Sequence, residues 1–143
     1  MKYEYSFRQT TTLTFEELKT ELMRTGASDP ENSCHPYVSN AKKIDEDTIQ
    51  YTDQLTMLGI PYEKKYNADF IIDDQKHTIK VSVNAGLGVK VEHNYSFYIE
   101  NNIQYLKDEV YLQARWPFRK YVYNTAYPAH RVFVSCIAAK DPT

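Results

Sequence analysis

Three ionisable residues occupy strand faces that are otherwise apolar. Each has apolar or aromatic residues two positions away on the same face of an alternating segment: Asp53 between Tyr51 and Leu55, Lys64 between Tyr62 and Tyr66, and His93 between Val91 and Tyr95. A charged group in such a place is costly unless it is paired or neutralised. Histidine titrates near neutral pH, and a neighbouring aspartate would orient its ring for proton transfer. Asp53, His93 and Lys64 are therefore the predicted catalytic residues of an acid–base site.

An acid–base site in an apolar cavity suits a substrate that is apolar or aromatic and carries oxygen. Enolisation, aldol-type cyclisation, dehydration or isomerisation of such a molecule needs neither a cofactor nor a metal. Lys64 or a tyrosine hydroxyl would polarise a carbonyl of the ligand. The predicted ligand contacts are Tyr51, Tyr62, Tyr66, Tyr95, Phe97, Arg115 and Tyr123.

Each of these residues also has a structural interpretation. His93 would be a hydrogen-bonded structural histidine, and Asp53 and Lys64 would form a salt bridge within the sheet. Arg115 would pair with surface acids. The tyrosines would pack on the sheet, where a large ring is buried and the hydroxyl keeps a polar partner.

The turn that follows the strand of Asp53 determines which residues of the next strand lie beside it. If Gly59 and Ile60 form the centre of a hairpin, Asp53 lies opposite Tyr66 and diagonal to Lys64. Diagonal neighbours on one face lie about 7–8 Å apart, within reach of long side chains. A bulge or a shifted turn would move every pair on these two strands.

The turn that follows the strand of His93 determines which residues of the next strand lie beside it. Asn101–Asn102 is a credible two-residue hairpin turn, because asparagine tolerates positive φ. Tyr95 then lies opposite Asp108, and His93 is diagonal to Asp108 on the same face. Asp108 is therefore the expected neighbour that could orient the His93 ring.

The beginning of the chain predicts a strand followed by a helix. Residues 2–9 alternate between aromatic and polar side chains, which is typical of a half-buried strand. Thr14 and Glu17 have the spacing of a capping box at a helix N-terminus. We expect this helix to end near Gly26.

The middle of the chain predicts a meander. Residues 27–40 contain two prolines and many turn formers and are expected to form a loop, with His35 and Tyr37 near a cavity mouth. A strand is expected to begin at about Ala41. From residue 48 to residue 114, five alternating segments joined by short turns predict an antiparallel meander.

The end of the chain predicts a helix, but the sequence does not decide where this helix ends. Pro117 suits the first position of a helix that follows the sheet. Pro128 is expected to break or kink that helix. Residues 132–137 are rich in β-branched side chains, so both a second helical half and a strand remain open.

The order of strand, helix, loop, meander and terminal helix resembles the START-like (helix-grip) superfamily of lipid-binding, pollen-allergen and polyketide-cyclase proteins. The resembling segments are Tyr3–Thr10 leading into Thr14–Leu18, the turns Leu58–Tyr62 and Gly86–Gly88, and Trp116–Phe118. The resemblance covers nearly the whole chain, residues 1–143, as a single domain. It implies an α+β fold in which an antiparallel sheet wraps around a C-terminal helix and encloses a cavity.

Composition limits the remaining classes of function. The net charge is -2, from 17 basic and 19 acidic residues, so neither nucleic acid nor an anionic membrane is an expected partner. No apolar run is long enough to span a bilayer. Cys34 and Cys136 are expected to be free buried thiols in a reducing compartment, with a disulfide as the alternative. The protein is expected to be cytoplasmic, and a homodimer is left open.

Three functions remain compatible with the residues. The first is a cofactor-independent cyclase, dehydratase or isomerase. The second is a carrier that holds a lipid or aromatic metabolite unchanged. The third is a partner-interaction module whose cavity is filled by its own rings. An acid–base enzyme needs at least two positioned polar groups, whereas a carrier needs one anchor at most.

Overall fold

The computed structural model describes residues 2–23, 26–27, 34 and 36–140. In chain order the elements are β1 (Lys2–Thr10), α1 (Phe15–Leu22), β2 (Gly26–Ala27), β3 (Val38–Asp45), β4 (Thr48–Met57), β5 (Ile60–Asp73), β6 (Thr78–Gly86), β7 (Val89–Glu100), β8 (Ile103–Gln113) and α2 (Arg119–Ala138). His35, which the sequence placed near the cavity mouth, lies outside the described residues.

The strands form one antiparallel sheet in the order β1-β8-β7-β6-β5-β4-β3-β2. From β2 to β8 each strand pairs with the next one in the chain, which is the predicted meander. Only β1 departs from this order, because it pairs with β8 and forms one edge of the sheet. Side chains of α2, among them Val134 and Ile137, are buried in the same core as Ile79 and Leu106 on the sheet.

The predicted first strand and helix start are confirmed. The Thr14 hydroxyl accepts a hydrogen bond from the Glu17 amide at 3.1 Å, and the Thr14 amide donates to the Glu17 carboxylate at 3.0 Å. The helix ends earlier than predicted, at Leu22, and Gly26 begins β2. The second long strand also begins earlier, at Val38 and not at about Ala41.

The C-terminal prediction was partly wrong. α2 begins at Arg119, two residues after Pro117, and continues through Pro128 to Ala138. The tail is helical because its buried side chains, such as Ala129 and Ile137, recur at helical spacing and face the sheet. The β-branched residues there follow this packing rather than their preference for strands.

The prediction of two free thiols was wrong. Cys34 and Cys136 form a disulfide with their Cα atoms 5.4 Å apart, across a sequence separation of 102 residues. It ties the segment before β3 to the last turns of α2. Sequence could not decide this, because the pairing depends on how the sheet brings distant segments together.

Candidate active-site cavity

A cavity of about 570 Å³ lies between the sheet and α2. Its volume is within the range of small-molecule sites in proteins. Most of its wall is apolar, because the inward-facing positions of the strands carry residues such as Ala68, Phe70, Val81 and Val83. A ligand that fills it would therefore bury mainly apolar surface.

Seven of the ten predicted site residues line this cavity: Tyr51, Asp53, Tyr62, Lys64, Tyr66, His93 and Tyr95. The other three lie elsewhere among the described residues. Phe97 is buried in the core, with its ring 6.3 Å from that of Phe15. Tyr123 faces β1, with its ring 4.5 Å from that of Tyr3. Arg115 is exposed and lies across Gly88, where a Cβ atom would clash with it.

His93 and Asp108 form a buried hydrogen-bonded pair. His93 Nδ1 lies 2.9 Å and 3.2 Å from the two carboxylate oxygens of Asp108. Asp108 is 0% exposed and His93 is 8% exposed. The carboxylate selects the tautomer in which Nδ1 carries a proton, so Nδ1–H donates to Asp108. Among the described residues, Nε2 of His93 has no hydrogen-bond partner, and it belongs to a side chain that lines the cavity.

The turn at Asn101–Asn102 produces this pair as predicted. Both asparagines have positive φ, at 52° and 64°. Tyr95 lies opposite Asp108, and His93 is therefore its diagonal neighbour. The Tyr95 hydroxyl lies 3.4 Å from His93 Nδ1, and burial raises the Tyr95 pKa well above its ordinary value.

His130, which the sequence interpretation missed, lies against this pair. Its ring centroid is 4.4 Å from that of His93, and its side chain also lines the cavity. His130 Nδ1 lies 2.7 Å from the Tyr5 hydroxyl. Burial, followed by the charge of Asp108, raises the pKa of Tyr5 well above its ordinary value, so the hydroxyl keeps its proton, and the tautomer of His130 decides which group donates. The signal that could have found His130 is its helical spacing from Ala126 and Phe133.

A second polar group lies on β4 and β5. The Tyr66 hydroxyl donates to Asp53 at 3.1 Å. Burial raises the pKa of Asp53 to about 6, although the bond from Tyr66 acts in the opposite direction. The pKa of Tyr51 is raised to about 12, by burial first and by the charge of Asp53 second.

The register of β4 and β5 differs from the predicted one by two residues. The turn is centred on Leu58–Gly59, so Asp53 lies opposite Lys64 and not opposite Tyr66. Even so, no ion pair joins Asp53 and Lys64 in the described part of the chain. The Lys64 ammonium lies instead beside Gly86, 3.5 Å from the position that a Cβ atom on Gly86 would occupy.

The two polar groups occupy different parts of one cavity. His93 pairs with Val81 and Val81 pairs with Phe70, which lies four positions after Tyr66 on β5. Two strand spacings of about 4.8 Å and four residues of about 3.4 Å separate Tyr66 from His93 by roughly 17 Å along the sheet. Asp53 and His93 therefore belong to separate hydrogen-bonded groups, one with Tyr66 and the other with Asp108.

Two further kinds of site are absent from the described residues. No group of three or more histidine, cysteine, aspartate or glutamate side chains in ranges 2–23, 26–27, 34 and 36–140 is placed to hold a metal ion. Neither of the two described helices has the length and apolar character needed to cross a membrane.

Comparison with known proteins identifies the class of fold. No protein-family model matches the chain, and no curated protein matches it. Solved structures do match it over almost its whole length, and they are helix-grip proteins. The chain therefore has the helix-grip fold, which confirms the predicted fold class and the resemblance in layout to START-like proteins.

Three of these structures give the range of likeness. Norcoclaurine synthase from Thalictrum flavum is 14% identical with a TM-score of 0.65, over 96% of this chain and 92% of that one. A protein of Thermus thermophilus is 11% identical with a TM-score of 0.64, over 95% of this chain and 94% of that one. The di-domain ARO/CYC protein StfQ of the steffimycin biosynthetic pathway is 10% identical with a TM-score of 0.68, over 96% of this chain and 50% of that one. These identities show a shared fold.

Proposed function

We propose that the cavity binds an apolar or aromatic, oxygen-bearing small molecule and that His93 moves a proton in a cofactor-independent cyclisation, dehydration or isomerisation. The observation that carries this proposal is the orientation of His93. Its Nδ1 is held by the fully buried Asp108, and its Nε2 is left for a ligand in the cavity. A histidine held only for structure would be expected to have both ring nitrogens partnered when buried.

The geometry supports general base catalysis followed by general acid catalysis at the same atom. Nε2 would take a proton from a carbon next to a carbonyl of the ligand. The Asp108 carboxylate would stabilise the imidazolium that forms, as an aspartate does in other histidine–aspartate pairs. Nε2 would then return the proton to the carbon or oxygen at which bond formation or elimination ends. The adjacent His130, hydrogen-bonded to Tyr5, offers a second position for a proton.

Asp53, Tyr66 and Lys64 would position the ligand. The nearest of them, Tyr66, lies roughly 17 Å from His93 along the sheet, so they would bind an oxygen at the other end of an elongated molecule. The fold alone does not establish catalysis, but two of the similar structures are a synthase and an ARO/CYC protein by name. Those names support cyclisation as one chemistry that this fold can host.

The experiment that tests the proposal begins with native mass spectrometry of the purified protein. Any molecule that co-purifies would be extracted, and its functional groups would define a substrate for turnover assays. His93→Asn should retain ligand binding and lose at least about 100-fold in turnover, the usual range for loss of a general acid–base group. His77→Asn is a matched control, because His77 is exposed, does not line the cavity and has a positive φ that asparagine tolerates. Full turnover by His93→Asn would show that the proposal is wrong.

The alternative function is a carrier that holds the same class of ligand without changing it. The mainly apolar wall and the separation of the two polar groups favour it, because each group could serve as one anchor. A ligand that wild-type protein binds and releases unchanged, with His93→Asn affecting only affinity, would support the carrier. A cavity of this volume does not fit the interaction module with a filled cavity.

Partners and location are further proposals. We propose that the protein is cytoplasmic, that it does not bind nucleic acid and that it does not insert stably into a membrane. Whether it forms a dimer is left to measurement. The Cys34–Cys136 disulfide is more typical of oxidising compartments, so a cytoplasmic location requires that these two cysteines be reduced in the cell. Thiol labelling of protein taken directly from cells would test the location, because oxidised cysteines there would contradict a reducing cytoplasm.

A further inference from the structure

Two hairpin tips carry leucine where the backbone favours other residues. Leu58 has φ 52° and is 95% exposed, and Leu87 has φ 53° and is 80% exposed. The left-handed region suits glycine and asparagine, and an apolar side chain gains nothing from exposure to water. The hairpin at the opposite end of the sheet uses Asn101–Asn102 at similar φ values. Local folding therefore does not require leucine at either tip.

Both tips lie at the end of the sheet where the cavity opens. The β4–β5 turn, the β6–β7 turn and the connection from β8 to α2 are all at this end. Leu87 and Phe118 line the cavity and are also exposed, so an opening lies beside them. We call the exposed apolar residues of these three connections the mouth face: Leu58, Ile60, Leu87, Trp116 and Phe118.

Charge is segregated between the two ends of the sheet. The three segments at the mouth, 56–62, 85–90 and 113–120, contain four basic residues and no acidic residue: Lys90, Arg115, Arg119 and Lys120. The three turn segments at the opposite end, 44–48, 73–78 and 99–103, contain six acidic residues and one lysine. None of the four basic residues forms an ion pair with any part of the chain that the structure describes. The net charge of -2 conceals this asymmetry.

We propose that the mouth face docks on an anionic lipid surface. The leucine tips and Trp116 would enter the interfacial layer, and the four basic residues would pair with lipid phosphates. Surface-bound proteins combine apolar side chains at the lipid boundary with basic residues that are attracted to anionic headgroups. An apolar ligand could then pass between the bilayer and the cavity without crossing water.

The charge pattern favours lipid over a second copy of the chain. A symmetric dimer through the mouth face would bring the same basic residues of both copies together. Like charges facing each other across an interface oppose association. An anionic surface instead meets both the apolar and the basic character of this end. Docking requires no turnover, so it does not depend on the proposed catalysis.

The test is flotation of the full chain with vesicles of phosphatidylcholine alone and with vesicles that also contain phosphatidylserine. The key variant is Leu58→Asn/Leu87→Asn. It removes the apolar tips but places a residue that tolerates positive φ, so the fold should be kept and its melting temperature should be equal or higher. The matched control is Ile99→Asn/Ile103→Asn, which removes two exposed isoleucines from the acidic end.

We expect at least about tenfold stronger binding to the phosphatidylserine vesicles, weakened by salt. The tip variant should lose at least about tenfold in this binding, and the control should stay within about twofold of wild type. Arg119→Gln/Lys120→Gln should reduce the difference between the two vesicle types. The proposal is overturned if wild type does not float with anionic vesicles at low salt, or if the control loses as much as the tip variant. It is also overturned if ultracentrifugation shows a dimer that the tip variant abolishes while vesicle binding is absent.

Discussion

Burial of the Asp53 carboxylate should make its ionisation costly to the folded state. The side chain is 9% exposed, and its pKa is raised from 3.8 to about 6. At about 1.4 kcal/mol per pKa unit, this difference corresponds to about 3 kcal/mol. The folded state binds the proton more tightly than the unfolded state. The stability from this group is therefore complete below about pH 4 and is lost as the pH rises through about 6.

Asp53→Asn removes the charge and keeps the contact. The amide oxygen of asparagine can still accept the hydrogen bond from the Tyr66 hydroxyl, which is 3.1 Å from Asp53 in wild type. Urea unfolding of both proteins at about pH 4 to 8 gives the free energy of unfolding at each pH. We expect the stability of Asp53→Asn relative to wild type to increase by about 3 kcal/mol between about pH 4 and pH 8.

Tyr66→Phe provides an internal control for the same reasoning. The hydrogen bond from Tyr66 lowers the Asp53 pKa, so its loss should raise that pKa further, enlarge the total fall in stability and extend the fall to higher pH. In the Asp53→Asn background, Tyr66→Phe should have an effect that does not vary with pH. A stability difference between wild type and Asp53→Asn that is the same at every pH would refute the argument from burial.

Three other substitutions test the framework of the fold by urea or thermal unfolding. Leu106→Ala removes a side chain that is 1% exposed, and we expect a loss of about 2–5 kcal/mol. Thr14→Ala breaks the capping box with Glu17 and should cost about 1 kcal/mol, whereas Thr14→Ser should cost little. Cys34→Ser/Cys136→Ser opens a covalent loop closed across 102 residues and should cost about 4 kcal/mol, and added reductant should lower wild-type stability but not that of the variant.

Much of the site could be predicted from sequence because the hairpin turns set the register. Asn101–Asn102 is recognisable as a turn from residue type alone, and it correctly placed His93 beside Asp108. The alternation of side chains within the strands then put Tyr95 on the same inward face. Local patterns are sufficient where two strands follow each other directly and the turn residues have the required backbone preference.

The rest depended on features that local patterns do not contain. Leucine is not a residue favoured at the centre of a two-residue turn, so the centre of the Leu58–Gly59 turn was predicted one position too late. That shift of one position moved the partner of Asp53 by two residues. His130 was missed because β-branched residues obscured the helical period of the tail. The disulfide and the segregation of charge both depend on which distant segments the sheet brings to the same end.

The ends of α2 are both fixed, and this restricts how a ligand can reach His93. At the N-terminal end, the Tyr121 hydroxyl lies 3.0 Å from the Tyr62 hydroxyl and 3.0 Å from the carbonyl of Thr56. At the C-terminal end, the disulfide and the ion pair between Lys140 and Glu21 hold the helix.

Because both ends of α2 are held, entry and exit of a ligand through the mouth require less rearrangement than displacement of this helix. Val89 begins β7 at the mouth, and His93 lies four residues further along it, about 13 Å deeper. A ligand that passes Leu87 and Phe118 would therefore meet Lys64 beside Gly86 before it reaches His93. The order of these groups favours a molecule whose polar end stays near the mouth while the reacting carbon lies against His93.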